Sequence, residues 1–278
     1  MAEWLIQIQF EDGDYPTHDF KTLYVFDTGQ VISGLLRCYY ETEDRRYIKA
    51  AIRAGYWILR YQKKTGAYMQ TTSKNYSHTY HARVAWILLQ LYAETGIKAF
   101  KHSAIKNLEW CINVIKDNMW PSPEKIDITH FIAYAIRGIL ESGILLKNRI
   151  LTDKAIKITD KIINLIGSDG YLPGELDSEW KTRANYTNLT GNLQLSIIML
   201  IIYRLTNRRK YLNSAIKLIN YVIHKQDINN SNKGICGGIS SSHPIEGRYM
   251  PYKYLSWSTN FYIDSLNLLL NKELRLTG

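Results

Sequence analysis

Three cysteines in 278 residues, Cys38, Cys111 and Cys236, are few, odd in number and without metal-ligand spacing. That usage excludes a disulfide framework and suits a reducing compartment, so the expected location is cytoplasmic. The opening Met1-Ala2-Glu3 carries an acid where a secretory leader has a basic stretch. No run of about 18 uncharged apolar residues is present, so no membrane span is expected. The triplet Asn185-Tyr186-Thr187 then reads as a chance match to a glycosylation site. There is no basic run and no finger, RNP-like or basic-zipper motif, which argues against a nucleic-acid partner. A Gly-x-Ser-x-Gly elbow is absent, as is an Asp-rich metal-diphosphate motif, so serine-hydrolase and terpene-type chemistry are disfavoured. His78 and His81 lack a third and fourth ligand at zinc spacing. No metal and no cofactor are expected.

What the chain does have is a repeat. Tyr47 precedes Ala51-Ile52 by four residues, Phe100 precedes Ala104-Ile105, Leu151 precedes Ala155-Ile156 and Tyr211 precedes Ala215-Ile216. Trp57, Trp110 and Tyr221 each stand six residues after the alanine. This is the spacing of a helix with one buried face. Before each comes a second helix type, ending in Tyr40-Glu41-Thr42, Ala93-Glu94-Thr95, Leu140-Glu141-Ser142 and Arg204-Leu205-Thr206. Those segments are apolar nearly all round, as in Leu195-Ser196-Ile197-Ile198-Met199-Leu200-Ile201-Ile202, so they are buried all round. Two concentric layers follow, apolar helices inside and amphipathic ones outside. The expectation is an all-α, single-domain α/α toroid over 1–278, incomplete or of about five helical hairpins, the runner-up being an open solenoid. Trp4-Leu5-Ile6 with Gln9 and Gly13-Asp14-Tyr15 aligns onto Trp57-Ile58-Leu59 with Gln62 and Gly66-Ala67-Tyr68, so the N-terminus matches the tail of an outer helix. The long connections, about 67–77, 117–127, 167–187 and 227–255, all fall after outer helices and before inner ones. One face therefore collects inner-helix N-termini and loops, a place suited to hold an anion.

Aligned on their ends, the inner helices put Gln30, Arg83, His130 and Gln194 at one position and Asp27, Tyr80, Asp127 and Gly191 three residues earlier. These are candidates for lining a cavity, although Asp27 and Asp127 also read as helix N-caps. His81 or His78 is a candidate base or donor there. The central loop carries Glu175, Asp177 and Glu179, with Lys181 and Arg183 beside them. Paired carboxylates could run glycoside hydrolysis, or form ion pairs with those cations. Trp180 and Tyr186 offer flat apolar faces for a sugar ring, or pack the loop. The last loop, 237–257, holds His243, Arg248, Tyr249, Tyr252, Tyr254 and Trp257. A buried tyrosine near arginine is expected to be drawn toward phenolate and to serve as a base.

Gly170-Tyr171-Leu172-Pro173-Gly174-Glu175-Leu176-Asp177 with Trp180, Leu189-Thr190-Gly191-Asn192-Leu193-Gln194, Gly237-Gly238-Ile239 and Tyr254 to Asp264 resemble a family of α/α-toroid proteins found among surface-polysaccharide enzymes. Its fold is similar to the helical domain of D-glucuronyl C5-epimerases and to toroidal polysaccharide lyases and unsaturated-uronide hydrolases. The Gln-x-x-x-Gly-x-Tyr endings, Gln9 to Tyr15 and Gln62 to Tyr68, resemble toroid turns of terpene-cyclase type.

The reading is a carbohydrate-active enzyme whose partner is an acidic, uronate-type oligo- or polysaccharide. A formal charge of +10, from 35 basic and 25 acidic residues, agrees with an acidic partner and equally with a solubility surface. The expected chemistry is proton abstraction at C5, as lyase or epimerase. Arg83 or Arg248 neutralises the carboxylate, Tyr249, Tyr252 or His243 removes the proton, and His130 or His81 donates one. Trp180, Tyr186, Glu175, Asp177, Asp127, Gln194, Trp257 and Tyr80 are the expected substrate contacts. The alternatives are a glycoside hydrolase using Asp127 or a loop carboxylate, and a non-catalytic glycan-binding or assembly protein.

Overall fold

The burial pattern of three amphipathic helices repeats position for position. Helix α3 (Arg45–Arg60) buries Tyr47, Ala50, Ala51, Ala54, Gly55 and Ile58, α5 (Lys98–Val114) buries Phe100, Ser103, Ala104, Asn107, Leu108 and Cys111, and α9 (Arg209–Ile223) buries Tyr211, Ser214, Ala215, Leu218, Ile219 and Val222. Each set follows i, i+3, i+4, i+7, i+8, i+11, a stripe facing the core. With α1 (Ala2–Ile8) and α7 (Arg149–Ile163) these are the outer-type helices. The inner type comprises α2 (Val25–Thr42), α4 (Ala82–Thr95), α6 (Thr129–Leu145), α8 (Leu189–Thr206) and α10 (Ser256–Leu270). Helix α8 is long and apolar enough to cross a bilayer, but every residue from Leu189 to Ile202 is buried, which accounts for its composition as core.

The computed structural model describes residues 2–17, 23–69, 77–116, 120–121, 126–182 and 184–271. Parts of the two long connections near 67–77 and 117–127, and Arg183, lie outside the described residues. Two compact units are formed. One takes in the described residues of 1–116 with Arg137–Lys154, the other those of 117–136 and 155–277.

Turns after outer helices repeat as well. Gly13, Gly66 and Gly170 have φ of +103°, +94° and +91°, where an L side chain is strained. A Cβ at each would also overlap a backbone carbonyl of the next outer helix, that of Arg53, Lys106 and Lys217 respectively. The amide of Gln9 donates to the carbonyls of Gly13 and Ala50 (2.8 and 2.9 Å), and that of Gln62 to Gly66 and Ser103 (2.9 and 2.8 Å). The Gln-x-x-x-Gly-x-Tyr ending is thus a clamp: glutamine ties two outer helices, glycine lets them touch, and Tyr15 or Tyr68 fills the space beneath. At the opposite ends the connections are tight. Asp44 caps α3 through the Arg46 N–H (2.9 Å), and Glu43, Gly96 and Asn207 end their inner helices in the left-handed region.

Two short antiparallel ribbons interrupt the helical chain. Strand β1 (Ile126–Ile128) pairs with β2 (Glu175–Asp177), and β3 (Thr187–Asn188) with β4 (Ser242–His243). β1 runs straight into α6 and β3 straight into α8. The loops expected to wall a site are anchored to the first turns of two inner helices.

Candidate functional site

Helix α8 approaches the first turn of α6 because Gly191 has no side chain. A Cβ there would lie 2.8 Å from Thr129 Oγ1 and 3.0 Å from His130 N. Asn188 caps α8, its Oδ1 accepting from Gly191 N at 2.8 Å, which sets the helix's starting angle. The close approach brings two residues from the aligned position together: the Gln194 amide Nε2 lies 2.7 Å from His130 Nδ1. Gln194 is fully buried, His130 is 3% exposed, and Gln194 Oε1 has no hydrogen-bond partner among the described residues.

Aromatic rings enclose the imidazole. Ring centroids of Tyr134, Tyr249 and Phe261 lie 4.5, 5.3 and 6.3 Å from that of His130. Trp257, half open to solvent, donates from Nε1 to Tyr249 Oη at 3.3 Å. Burial pushes the His130 pKa down to about 3, so the ring is neutral at physiological pH. Burial likewise raises the Tyr249 phenol, with a smaller opposing effect from Trp257. Expectation and structure differ here. Tyr249 is not drawn toward phenolate, because the nearby arginine turns away to a carboxylate and desolvation dominates.

That carboxylate is Glu175. It accepts the Tyr186 O–H at 2.7 Å and pairs with Arg248 at 3.5 Å. Tyr186 packs with Tyr249 and Leu255, over positions where a Cβ on Gly174 or Gly247 would strike its ring. Its phenol is raised by burial first and by Glu175 second. The β1–β2 register puts Ile128 opposite Glu175 and Asp127 opposite Leu176. Successive strand residues point to opposite faces, so Asp127 and Glu175 leave the ribbon on different sides. Asp127 accepts the Trp120 Nε1–H at 2.6 Å, and Trp120 meets Trp180 edge to face at 5.5 Å. Trp180 sits at φ +67° with Lys161 5.8 Å above its ring. Asp177 Oδ1 accepts the Glu179 and Lys181 N–H groups, both at 2.9 Å, and so closes a turn. Asp127 is not a helix cap, since it stands in β1.

Two expected bases fall elsewhere. His243 is half-buried against Tyr221 (6.5 Å between rings), its pKa lowered by burial and then by Lys225. Tyr252 is 73% exposed on a loop tip, so the enclosed environment expected for a base is missing.

The other unit holds the remaining candidates. Tyr80, in a 3-10 turn over Thr79–His81, stacks on His78 (4.7 Å, 16°) and meets Phe26 edge to face at 5.1 Å. His81 is fully enclosed, its Nδ1 3.1 Å from the His78 carbonyl. Its pKa is pushed down to about 3 by burial, then by His78. The Arg83 guanidinium lies 4.2 Å from the Trp86 ring, with Arg137 at 6.0 Å from the same ring and paired to Glu141 at 2.9 Å. Asp27 is no cap either: Tyr24 holds that position and Asp27 is the third residue of α2. Its carboxyl opens to solvent yet is crowded by protein, and burial pushes it above the usual range. No group of three metal-ligating side chains occurs among the described residues.

Tyr134, Phe261 and Trp120 were not singled out from sequence. Tyr134 had a signal, standing four residues after His130 on the same helix face. Phe261 had none, since its contact with His130 crosses a long stretch of chain, and Trp120 meets Asp127 across an irregular segment that carries no periodicity.

Neutral His81 and His130 make the fold acid-sensitive. An unfolded histidine titrates near 6.5, so between about pH 6.5 and 3 the unfolded chain binds more protons and stability falls as pH falls. Each histidine contributes a slope of about 1.4 kcal/mol per pH unit in that window. Urea unfolding across it should show net proton uptake, and about one proton fewer in His130→Gln. No change in that uptake on substitution would contradict a neutral buried His130.

No family model matches the sequence, and no curated sequence matches it either. Solved structures do match. D-mannose isomerase aligns at TM-score 0.71 and 13% identity, over 96% of this chain and 80% of that one. An unsaturated glucuronyl hydrolase specific for heparin aligns at 0.75 and 13%, over 96% and 77%. Cellobiose 2-epimerase from Bacillus thermoamylovorans aligns at 0.70 and 15%, over 90% and 72%. The fold is an α/α toroid. The two helix types and the clamped turns of this chain are its repeat, as the sequence periodicity predicts.

Proposed function

We propose that this α/α toroid is a carbohydrate-active enzyme that moves a proton at C5 of a uronate-type sugar, as lyase or epimerase. The observation that carries the reading is the neutral imidazole and protonated phenol of His130 and Tyr249, 5.3 Å apart between ring centroids. The names of the structural neighbours support it: two alter a sugar at or beside its carbonyl carbon and several act on glucuronyl groups. The basic net charge agrees with an acidic substrate.

The resting protonation states reverse the roles expected from sequence. Tyr249 keeps its proton and is the donor; His130 is the acceptor. As placed, the Gln194 amide nitrogen donates to Nδ1 and leaves the ring proton on Nε2; turned end for end, its oxygen accepts from Nδ1–H and frees the Nε2 lone pair, the tautomer the proposed base requires. His130 Nε2 takes the C5 proton, and the electron pair moves into the carboxylate as an enediolate. That anion, forming beside the imidazolium, offsets the burial that otherwise disfavours charge on the ring. The Tyr249 O–H then protonates the opposite face, giving the epimer, or the departing glycosidic oxygen, giving the unsaturated product. Arg248 exchanges Glu175 for the sugar carboxylate.

The test is incubation with uronate oligosaccharides in deuterium oxide. Deuterium at C5, or ultraviolet absorbance from an unsaturated uronide, is expected. New reducing ends without either would contradict proton transfer and favour hydrolysis; binding with no product would leave a glycan-binding protein. One observation favours hydrolysis as a second reading: protein crowding raises the Asp27 carboxyl above the usual carboxylate range, the direction a general acid requires.

A further inference from the structure

The loop after β4 turns one tyrosine inward and the other outward. Tyr249 is 6% exposed beside His130, while Tyr252, three residues on, is 73% exposed. Three serines hold the loop. Ser241 Oγ donates to the Met250 carbonyl (2.6 Å), Ser242 Oγ to that of Tyr249 (2.9 Å), and Ser240 Oγ to that of Ser242 (2.8 Å). The Tyr252 N–H closes on Ile245 O at 2.9 Å, and Ser241 N on Lys253 O at 2.9 Å. The tip is therefore fixed, and it is strained: Met250 and Tyr252 stand at φ +48° and +58°, on either side of Pro251. Glycine or asparagine adopts that backbone at lower cost than a tyrosine. Packing does not explain the choice, since Tyr252 makes no ring or side-chain hydrogen-bond contact among the described residues. Lys253, next to it in the chain, is exposed as well, as are Glu246 and Arg248 on the same loop, Arg248 being paired with Glu175.

We infer that Tyr252 is an outer sugar-binding platform, on which a further ring of an acidic glycan chain stacks when its neighbour occupies the His130–Tyr249 site. The inference rests on the proposed function for its ligand class. A rigid exposed aromatic face suits the C–H surface of a pyranose, and the neighbouring Lys253 suits a polymer carrying a carboxylate or sulfate on each repeat. Backbone strain kept at an exposed ring is the pattern expected where binding, rather than stability, sets the residue.

Calorimetric titration of the full chain with hyaluronan and heparin disaccharides and hexasaccharides tests it, in Tyr252→Asn and Tyr252→Phe beside the wild type. Asn should weaken hexasaccharide binding about tenfold and leave the disaccharide unchanged. The same variant should melt about 2 °C higher as the strain is relieved. Phe should bind both lengths as the wild type does. The inference is overturned if Asn leaves hexasaccharide affinity intact, if Phe weakens it as much as Asn, or if the wild type binds neither length or both equally. Deuterium uptake by saturating disaccharide in Tyr252→Asn reads the chemistry separately. A lost platform with intact exchange, and an intact platform without exchange, are therefore distinguishable patterns.

Discussion

His130→Ala should lower kcat about a thousandfold on a uronate substrate, the range by which a positioned acid or base commonly accelerates proton transfer. Tyr249→Phe should cost about a hundredfold or more, since the ring stays and only the proton is lost. Losses of this size with little change in KM would place both groups at the reacting atoms. Gln194→Glu sharpens the test. A carboxylate facing Nδ1 stabilises the imidazolium, so His130 should titrate at higher pH and the acidic limb of the pH–rate profile should move up. The Gln194 amide touches His130 directly and sits in the same buried position. An unchanged profile in Gln194→Glu, or a His130→Ala variant within tenfold of wild type, would remove His130 from the chemistry.

Gly66→Ala should destabilise the chain by about 3–5 kcal/mol, combining a strained backbone with a displaced neighbour. Gly66 has φ +94°, a Cβ would meet the Lys106 carbonyl, and its own carbonyl accepts from Gln62 (2.9 Å) and Asn107 (3.1 Å). Out of a total stability of about 5–15 kcal/mol, a loss of that size lowers Tm by about 10 °C. Gly96 is the control. It too has positive φ, +69°, but nothing lies within 4 Å of a Cβ there, so Gly96→Ala should cost only about 1 kcal/mol. Thermal melts of the two variants decide it. Equal losses would mean that backbone strain, and not the helix-to-helix clamp, governs these turns.

The fold was legible because its repeat is local. An amphipathic stripe and a Gln-x-x-x-Gly-x-Tyr ending lie within about twenty residues, and their spacing determines which face is buried. Part of the site was legible for the same reason: equivalent positions on successive inner helices put His130 and Gln194 at one level, and they meet at 2.7 Å. The rest depended on contacts between distant residues. Glu175 is claimed by Tyr186 and by Arg248, and nothing in the spacing of residues 175 and 248 announces that pairing. The short ribbons were hidden as well, since strands of two or three residues carry no periodicity. Tyr249 was assigned the wrong protonation tendency because an arginine close in sequence is not a partner in space. Tyr252 looked equivalent to Tyr249 until the loop turned one in and the other out.

A crystal structure with a uronate oligosaccharide bound is the most direct measurement. The account predicts the C5 hydrogen directed at His130 Nε2, the Tyr249 hydroxyl on the opposite face or at the glycosidic oxygen, and the sugar carboxylate on Arg248. A sugar seated away from the His130–Gln194 pair, with Asp27 at its anomeric oxygen, would contradict it.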